Sequence, residues 1–409
     1  MRKAYAVIGS NWGDEGKGNV TDILCSKEPL KTINVRINGG AQASHTVVTQ
    51  DGKRHAFSHF GSGTFAGAPT YLSKEFIVNL FSFDIERCKI AEEFAITPVV
   101  CVNPECRVTT FWDMNINQMI ETMRGENRHG SCGFGINETV HRSKYDDYKI
   151  TVMDLFSENE LRKKLERIQR DYVPMRLKNK YNLILDELPE KFAKSFKDSE
   201  TIPMTIEMAK RFIENVSVMD DCILNRFDIA VFEGAQGLLL DQGFEKFWPN
   251  VTTSNTGVRN MVDILKNIKF DGEVEVYNVS RCYATRHGRG RFPTETDGKP
   301  YKNIIDLTNI PNEFQEHLRF GILDMDLLLE ALNGDYNKNS ELIAKRNMVF
   351  TCFDQLDDMV FYKFNGKKIT VSKQNFLEEI KRILCENTAY LVSDIYVTQG
   401  EARDKLIKI

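Results

Sequence analysis

Short apolar runs recur along the chain, each ending at a glycine-rich turn. Ala4-Tyr5-Ala6-Val7-Ile8, Thr32-Ile33-Asn34-Val35-Arg36-Ile37 and Asp228-Ile229-Ala230-Val231-Phe232 are the strongest. Runs of this length with few polar positions predict strands buried on both faces, as in a parallel sheet. Phe76-Ile77-Val78-Asn79-Leu80 and Thr97-Pro98-Val99-Val100-Cys101-Val102 predict further strands, with a helix near Ser82 to Glu93 between them. Residues 155–225 differ: stretches such as Glu158-Asn159-Glu160-Leu161-Arg162-Lys163-Lys164-Leu165 predict solvated amphipathic helices covering the sheet, without a function of their own. The expected fold is α/β, a single large domain over 1–409 with a central, mostly parallel β-sheet covered by helices.

The turn after the first strand holds the densest chemistry. It reads Gly9-Ser10-Asn11-Trp12-Gly13-Asp14-Glu15-Gly16-Lys17-Gly18-Asn19 and leads into a helix through Val20-Thr21-Asp22-Ile23-Leu24. Closely spaced glycines let backbone N–H groups approach a phosphate, the helix N-terminus adds positive potential, and Lys17 adds a full charge. This P-loop-like cradle departs from the usual pattern, because Asn11 replaces its first glycine and Gly18 replaces the hydroxyl residue that would hold a metal. Asp14 and Glu15 would repel a phosphate unless a divalent cation sits between them or one of them moves a proton. A magnesium–nucleotide loop that also does chemistry is expected. The second strand runs into Gly39-Gly40 and then His45, so His45 and Asp14 should face one cleft at the C-terminal edge of the sheet.

Composition narrows the setting. With 409 residues, 42% of them hydrophobic, the chain can bury a large core. The net charge of −4 comes without a long basic run, which argues against nucleic acid as a partner. No stretch is long and apolar enough for a signal peptide or membrane span, so a cytoplasmic protein with no membrane partner is expected. The nine cysteines lack zinc-site spacing and read as reduced, mostly structural thiols.

Trp12-Gly13-Asp14-Glu15-Gly16-Lys17-Gly18 resembles the signature of the adenylosuccinate synthetase family, and Asn38-Gly39-Gly40-Ala41-Gln42-Ala43-Ser44-His45-Thr46-Val47-Val48 resembles its companion block. The family joins aspartate to C6 of a 6-oxopurine monophosphate, normally IMP, with hydrolysis of a purine triphosphate, normally GTP. The resemblance therefore implies a homodimeric, Mg²⁺-dependent carbon–nitrogen ligase of purine biosynthesis. Its small-molecule partners would be a purine mononucleotide, aspartate, and GTP or ATP. It implies that Asp14 removes the purine N1 proton, that His45 is the general acid in phosphoryl transfer to O6, and that Lys17 meets the moving charge. Gly13, Glu15, Gly16, Gly18 and Thr46 fall to the nucleotide, and Asp14 with the Ser44 carbonyl falls to the metal.

Later blocks extend the resemblance. Glu233-Gly234-Ala235-Gln236-Gly237 carries Gln236, which the resemblance places at the purine near the reacting carbonyl, while Glu233 reads as a strand-end structural carboxylate. Arg128 to Arg142 resembles the monophosphate loop, with Ser131 and Cys132 in place of its threonines. Arg142 is the candidate for the arginine that reaches the monophosphate across a dimer interface, and Thr252 matches a second monophosphate loop. Arg281 to Glu295 resembles Tyr-Ser-Thr-Arg-Val-Gly-Ala-Gly-Pro-Phe-Pro-Thr-Glu from Tyr283 onward, made more basic by His287, Arg289 and Arg291. The aspartate-holding, arginine-rich loop of the family is here Asn312-Glu313-Phe314-Gln315-Glu316-His317-Leu318-Arg319, so aspartate is assigned to Arg319 with Arg286 or Arg289. Asp354 aligns with the guanine-reading block, whose lysine is Cys352, and Gly400 lies beside the same base.

Three readings stay open. Retained Asp14 suits IMP. The altered loops at Cys132, Gly257 and Gln315 accommodate GMP or dGMP, as in the phage branch of the family that makes diaminopurine precursors. A nucleotide-binding NTPase or sensor without ligase chemistry is the third, because a binding fold hosts either.

Overall fold

The first apolar run forms a strand, Lys3–Gly9, buried from Ala4 onward. Its side chains alternate between two faces: Ala4, Ala6 and Ile8 join one core, Tyr5 and Val7 another. Both faces are covered, which is why the run is apolar throughout.

The computed structural model describes residues 1–309, 317–390 and 392–409. The strands of the main sheet are β1 (Lys3–Gly9), β2 (Thr32–Arg36), β3 (Thr70–Leu72), β4 (Val100–Val102) and β5 (Ser217–Val218), then β6 (Ile229–Glu233), β7 (Glu273–Arg281), β8 (Lys345–Thr351), β9 (Ile395–Val397) and β10 (Ile407–Lys408). Their spatial order is β10-β9-β8-β7-β1-β6-β2-β3-β4-β5. Every pairing is parallel except the edge pair β9–β10. The expected α/β fold with a mostly parallel sheet is observed. Gly9, Arg36, Glu233, Arg281 and Thr351 therefore end their strands on one edge, where open α/β sheets bind ligands.

Helix α1 (Lys17–Ser26) leaves the first loop. The run expected as a strand over Phe76–Leu80 pairs only at Ile77–Val78, because the Asn79 side chain accepts from Ser82 N and starts α2 (Leu80–Phe94). α3 (Phe111–Arg124) and α4 (Ile136–Arg142) follow. The charged region folds as α5 (Glu158–Arg167), α6 (Val173–Tyr181), α7 (Glu190–Lys197) and α8 (Thr201–Glu214). Their apolar stripes, including Leu161, Leu165, Leu177 and Phe212, share a second core with Trp112 and Ile116 of α3.

Gly9 shows how tightly β1 meets its loop. A Cβ there would lie 2.2 Å from Glu15 Oε2, 2.4 Å from Gln236 O and 2.8 Å from Lys17 Nζ. Gly9→Ala should therefore lower the urea unfolding stability by on the order of 1–3 kcal/mol or more, as overpacking does. An unchanged unfolding midpoint would contradict this packing.

Candidate active site

A cavity of about 1320 Å³ opens at the C-terminal edge of the sheet. Gly13, Asp14, Glu15, Gly16, Lys17 and Gly18 line it from the first loop, and Ser44, His45 and Thr46 from the next. Ser131, Cys132, Gln236 and Thr252 line it too, as do Arg286, Arg289, Asp354 and Gly400. Arg142 and Arg319 do not.

The first loop separates its two acidic residues. Glu15 is buried and turns inward: Oε1 accepts from Asn11 N at 2.7 Å and Gly13 N at 3.2 Å, and Oε2 accepts from Lys17 Nζ at 2.9 Å. The Glu15 carboxylate is thus spent on the shape of the loop, although the residue itself lines the cavity. Lys17 keeps two further N–H donors. Asp14 takes a left-handed conformation, φ 59°, that keeps its side chain partly exposed at 29%. Arg281 Nε donates to its carbonyl at 2.5 Å, and His287 Nε2 lies 3.5 Å from Oδ2. Gly18 serves close packing: a Cβ there would lie 2.8 Å from Thr46 O and 3.1 Å from His45 Cβ, so α1 can seat the strand His45–Val48 directly.

His45 begins that strand, which pairs in a hairpin with Arg54–Phe57. Its Nδ1 is 2.5 Å from Glu233 Oε1 at the end of β6. Glu233 also accepts from Ser62 N at 3.1 Å and from Ser62 Oγ, and Arg36 lies 4.0 Å away. Burial pushes the Glu233 carboxyl up, but Arg36, His45 and Ser62 outweigh it and hold it at about 2. Burial pulls the His45 imidazole down to about 4, against the raising effect of Glu233. An ionised Glu233 fixes the proton on Nδ1 and leaves Nε2 for the cavity. Glu233 thus does more than the structural duty expected of it; it orients His45. Nothing local in the sequence pairs the two.

Gln236, at φ 63°, has a buried Oε1 with no partner among the described residues, as has Thr46 Oγ1. Such atoms cost about 1–3 kcal/mol each until a ligand satisfies them. Burial pushes the Cys132 thiol up to about 11, so it stands neutral where the resemblance has a threonine.

The adenylosuccinate synthetase family model matches residues 6–394. The chain belongs to this family. It is similar to adenylosuccinate synthetases of Clostridium botulinum (30% identity over 90% of this chain and 82% of that one) and Lactobacillus acidophilus (31%, with the same coverage). Its fold is like that of the Plasmodium falciparum adenylosuccinate synthetase, with TM-score 0.72, 19% identity and 99% of each chain covered. A cyanophage S-2L succinoaminodeoxyadenylate synthetase (PurZ), bound to dGMP and dATP as an energy donor, shares the fold at TM-score 0.61 and 13% identity, over 100% of this chain and 95% of that one.

Within this adenylosuccinate synthetase fold, three expected arginines are otherwise engaged. Arg142 is fully buried: Nη2 donates to Asp113 at 2.8 Å and to Val108 O at 2.7 Å, Nε to Asp113 at 3.0 Å, and Nη1 to Tyr148 O at 2.5 Å. It cannot reach a monophosphate, and that assignment is corrected. Arg319 is corrected likewise; it pairs with Glu295 and donates to Gly288 O at 2.8 Å and Gly290 O at 2.7 Å, bracing the turn. Arg286 lines the cavity, but its terminal nitrogens donate to Arg291 O at 2.8 Å and Asn250 O at 2.9 Å while it stacks 3.9 Å from the Trp12 ring. These bonds tie two loops together, and its buried Nε has no partner among the described residues. Arg289 is exposed and lines the cavity as well. Gln315 and Asn312 to Glu316 lie outside the described residues. Arg124, Lys144, Lys180 and Tyr181 also line the cavity, although nothing in the sequence around Arg124 and Lys144 or in the charged helical region that holds Lys180 and Tyr181 gave a sign of it.

The Arg142 correction is testable. Arg142→Met removes one partner of a buried ion pair and should cost about 3–5 kcal/mol of stability. Unfolding midpoints measure it; an unaltered midpoint with a raised KM for the monophosphate would restore the binding role.

Proposed function

We propose that this protein joins L-aspartate to C6 of a 6-oxopurine nucleoside monophosphate, with IMP as acceptor and GTP hydrolysed. The observation that carries this reading is one cavity lined by both Asp14 with Lys17 and the Glu233-backed His45. Family membership supports the ligase class.

Asp14 takes the purine N1 proton, which makes O6 nucleophilic toward the γ-phosphorus. His45 keeps its Nδ1 proton directed at the ionised Glu233 and presents Nε2 to O6 and the moving phosphoryl group. Burial, with the nearby Arg36 and Lys17 charges, keeps the ring neutral, whereas Glu233 and an arriving anion favour its charged form, so His45 takes up its second proton as the ligand binds. Lys17 and the loop N–H groups meet phosphoryl charge. Gln236 binds the purine edge beside the reacting carbonyl. The aspartate amine then displaces the 6-phosphoryl group and phosphate leaves. With Arg142 withdrawn, Lys144 and Lys180 supply the positive charge at the monophosphate, and Arg289 that at aspartate.

Magnesium fits these residues. The Asp14 carboxylate and the carbonyl of exposed Ser44 are oxygen donors on the cavity wall, and no group of three or more His, Cys, Asp or Glu gathers among the described residues, as suits an ion that keeps waters and substrate phosphates. Bound there, it would neutralise phosphate charge. The functional unit is taken to be a homodimer in the cytoplasm; no helix among the described residues is long and apolar enough to cross a membrane.

A second acceptor class, GMP or dGMP, and ATP as donor suit the same site. Cys352, standing where the guanine-reading block has lysine, motivates that comparison. The test is phosphate release with Mg²⁺ and aspartate, across IMP, GMP and dGMP and with GTP or ATP. Release with IMP and GTP is expected, and Asp14→Asn should lower it by about 10²–10⁴-fold with nucleotide binding kept. Preference for dGMP would move the protein to the 2-amino branch, and release independent of acceptor would leave an NTPase.

A further inference from the structure

His287 stands beside Asp14 where the family block carries valine. Its surroundings define its hydrogen-bonding state. Asp306 accepts from Thr308 N at 3.0 Å, Asn309 N at 3.1 Å and Asn309 Nδ2 at 2.7 Å. With Nδ2 committed there, the amide turns Oδ1 toward His287 Nε2 at 3.0 Å. Asp14 Oδ2 lies 3.5 Å from the same nitrogen. Two oxygens flank Nε2, so the ring carries its proton on that side: the N–H donates to Asn309 Oδ1, and Asp14 Oδ2 stands at 3.5 Å without a hydrogen bond. Arg281 meanwhile holds the Asp14 carbonyl at 2.5 Å. The left-handed residue is thus gripped at its backbone from the end of β7 and faced at its carboxylate by the His287 turn.

We propose that His287, oriented by Asn309 and Asp306, is a positioning residue that holds Oδ2 of Asp14 and leaves Oδ1 for the purine N1–H. Asn309 sets the ring through the same Nε2–H that faces Asp14, while Nδ1 is buried with no partner among the described residues. The 3.5 Å separation shortens to a hydrogen bond when substrates fill the cavity, as catalytic contacts commonly do. This inference rests on the ligase reading above.

The experiment uses the full chain with His287→Leu, His287→Gln and Asn309→Leu. Isotopic oxygen exchange between the β,γ-bridging and β-non-bridging positions of GTP, with Mg²⁺ and acceptor but without aspartate, reports phosphoryl transfer alone. His287→Leu and Asn309→Leu should lower both exchange and kcat by about 10–100-fold while the KM values for GTP and acceptor stay within about threefold. His287→Gln, whose amide N–H reaches the place of Nε2, should restore both rates to within about threefold of the unmodified enzyme. Undiminished exchange in His287→Leu, equal losses in the Leu and Gln variants, or a loss confined to KM would overturn the proposal. Absence of acceptor-dependent exchange in the unmodified enzyme would instead overturn the ligase reading on which it stands.

Discussion

Glu233 is a carboxylate buried at the end of a central strand, and the position of His45 in the cavity depends on keeping it ionised. Burial opposes that charge; Arg36, His45 and Ser62 together outweigh burial. The sheet order explains how they meet. β6 lies between β1 and β2, so its end stands between the phosphate loop and the strand that feeds the His45 loop. One carboxylate then fixes the tautomer of His45, caps Ser62 and balances Arg36. Removing it would strand a buried guanidinium as well as free a histidine.

The phosphate loop solves a related problem of charge. Adjacent acidic residues would repel an anionic ligand if both faced it. The backbone sends them opposite ways: Glu15 inward to three donors of its own loop, Asp14 toward the cavity. The loop is therefore braced by the same kind of group that an anionic ligand repels, and only one of the two carboxylates faces the cavity. Arg281 and Thr351, at the ends of β7 and β8, fasten the carbonyls of Asp14 and Glu15 and tie the loop to the sheet edge.

The sheet and the glycine-rich loop after its first strand were legible in the sequence because their signals are local. A buried parallel strand is an unbroken apolar run, and a phosphate cradle is a run of glycines with a lysine. The arginines were not legible for the same reason. Arg142 follows a glycine-rich loop, as a phosphate-binding arginine would, but its fate is decided by Asp113, 29 positions away, which also closes a capping box at the start of α3. Glu233 and His45 are 188 positions apart, and only the strand order joins them. Likewise the charged helical region shows its amphipathic period in sequence, but not that Lys180 at the end of α6 reaches the cavity.

The central claim is that an ionised, buried Glu233 holds His45 as the Nδ1–H tautomer. With seven histidines, selective nitrogen labelling of the imidazoles and an NMR titration can test it directly, with His45 assigned by substitution. The account predicts that at neutral pH the ligand-free enzyme shows His45 neutral, protonated at Nδ1, and taking up a second proton only near pH 4, well below the ordinary histidine value of 6.5. An Nε2–H tautomer, or protonation near the ordinary value, would contradict it.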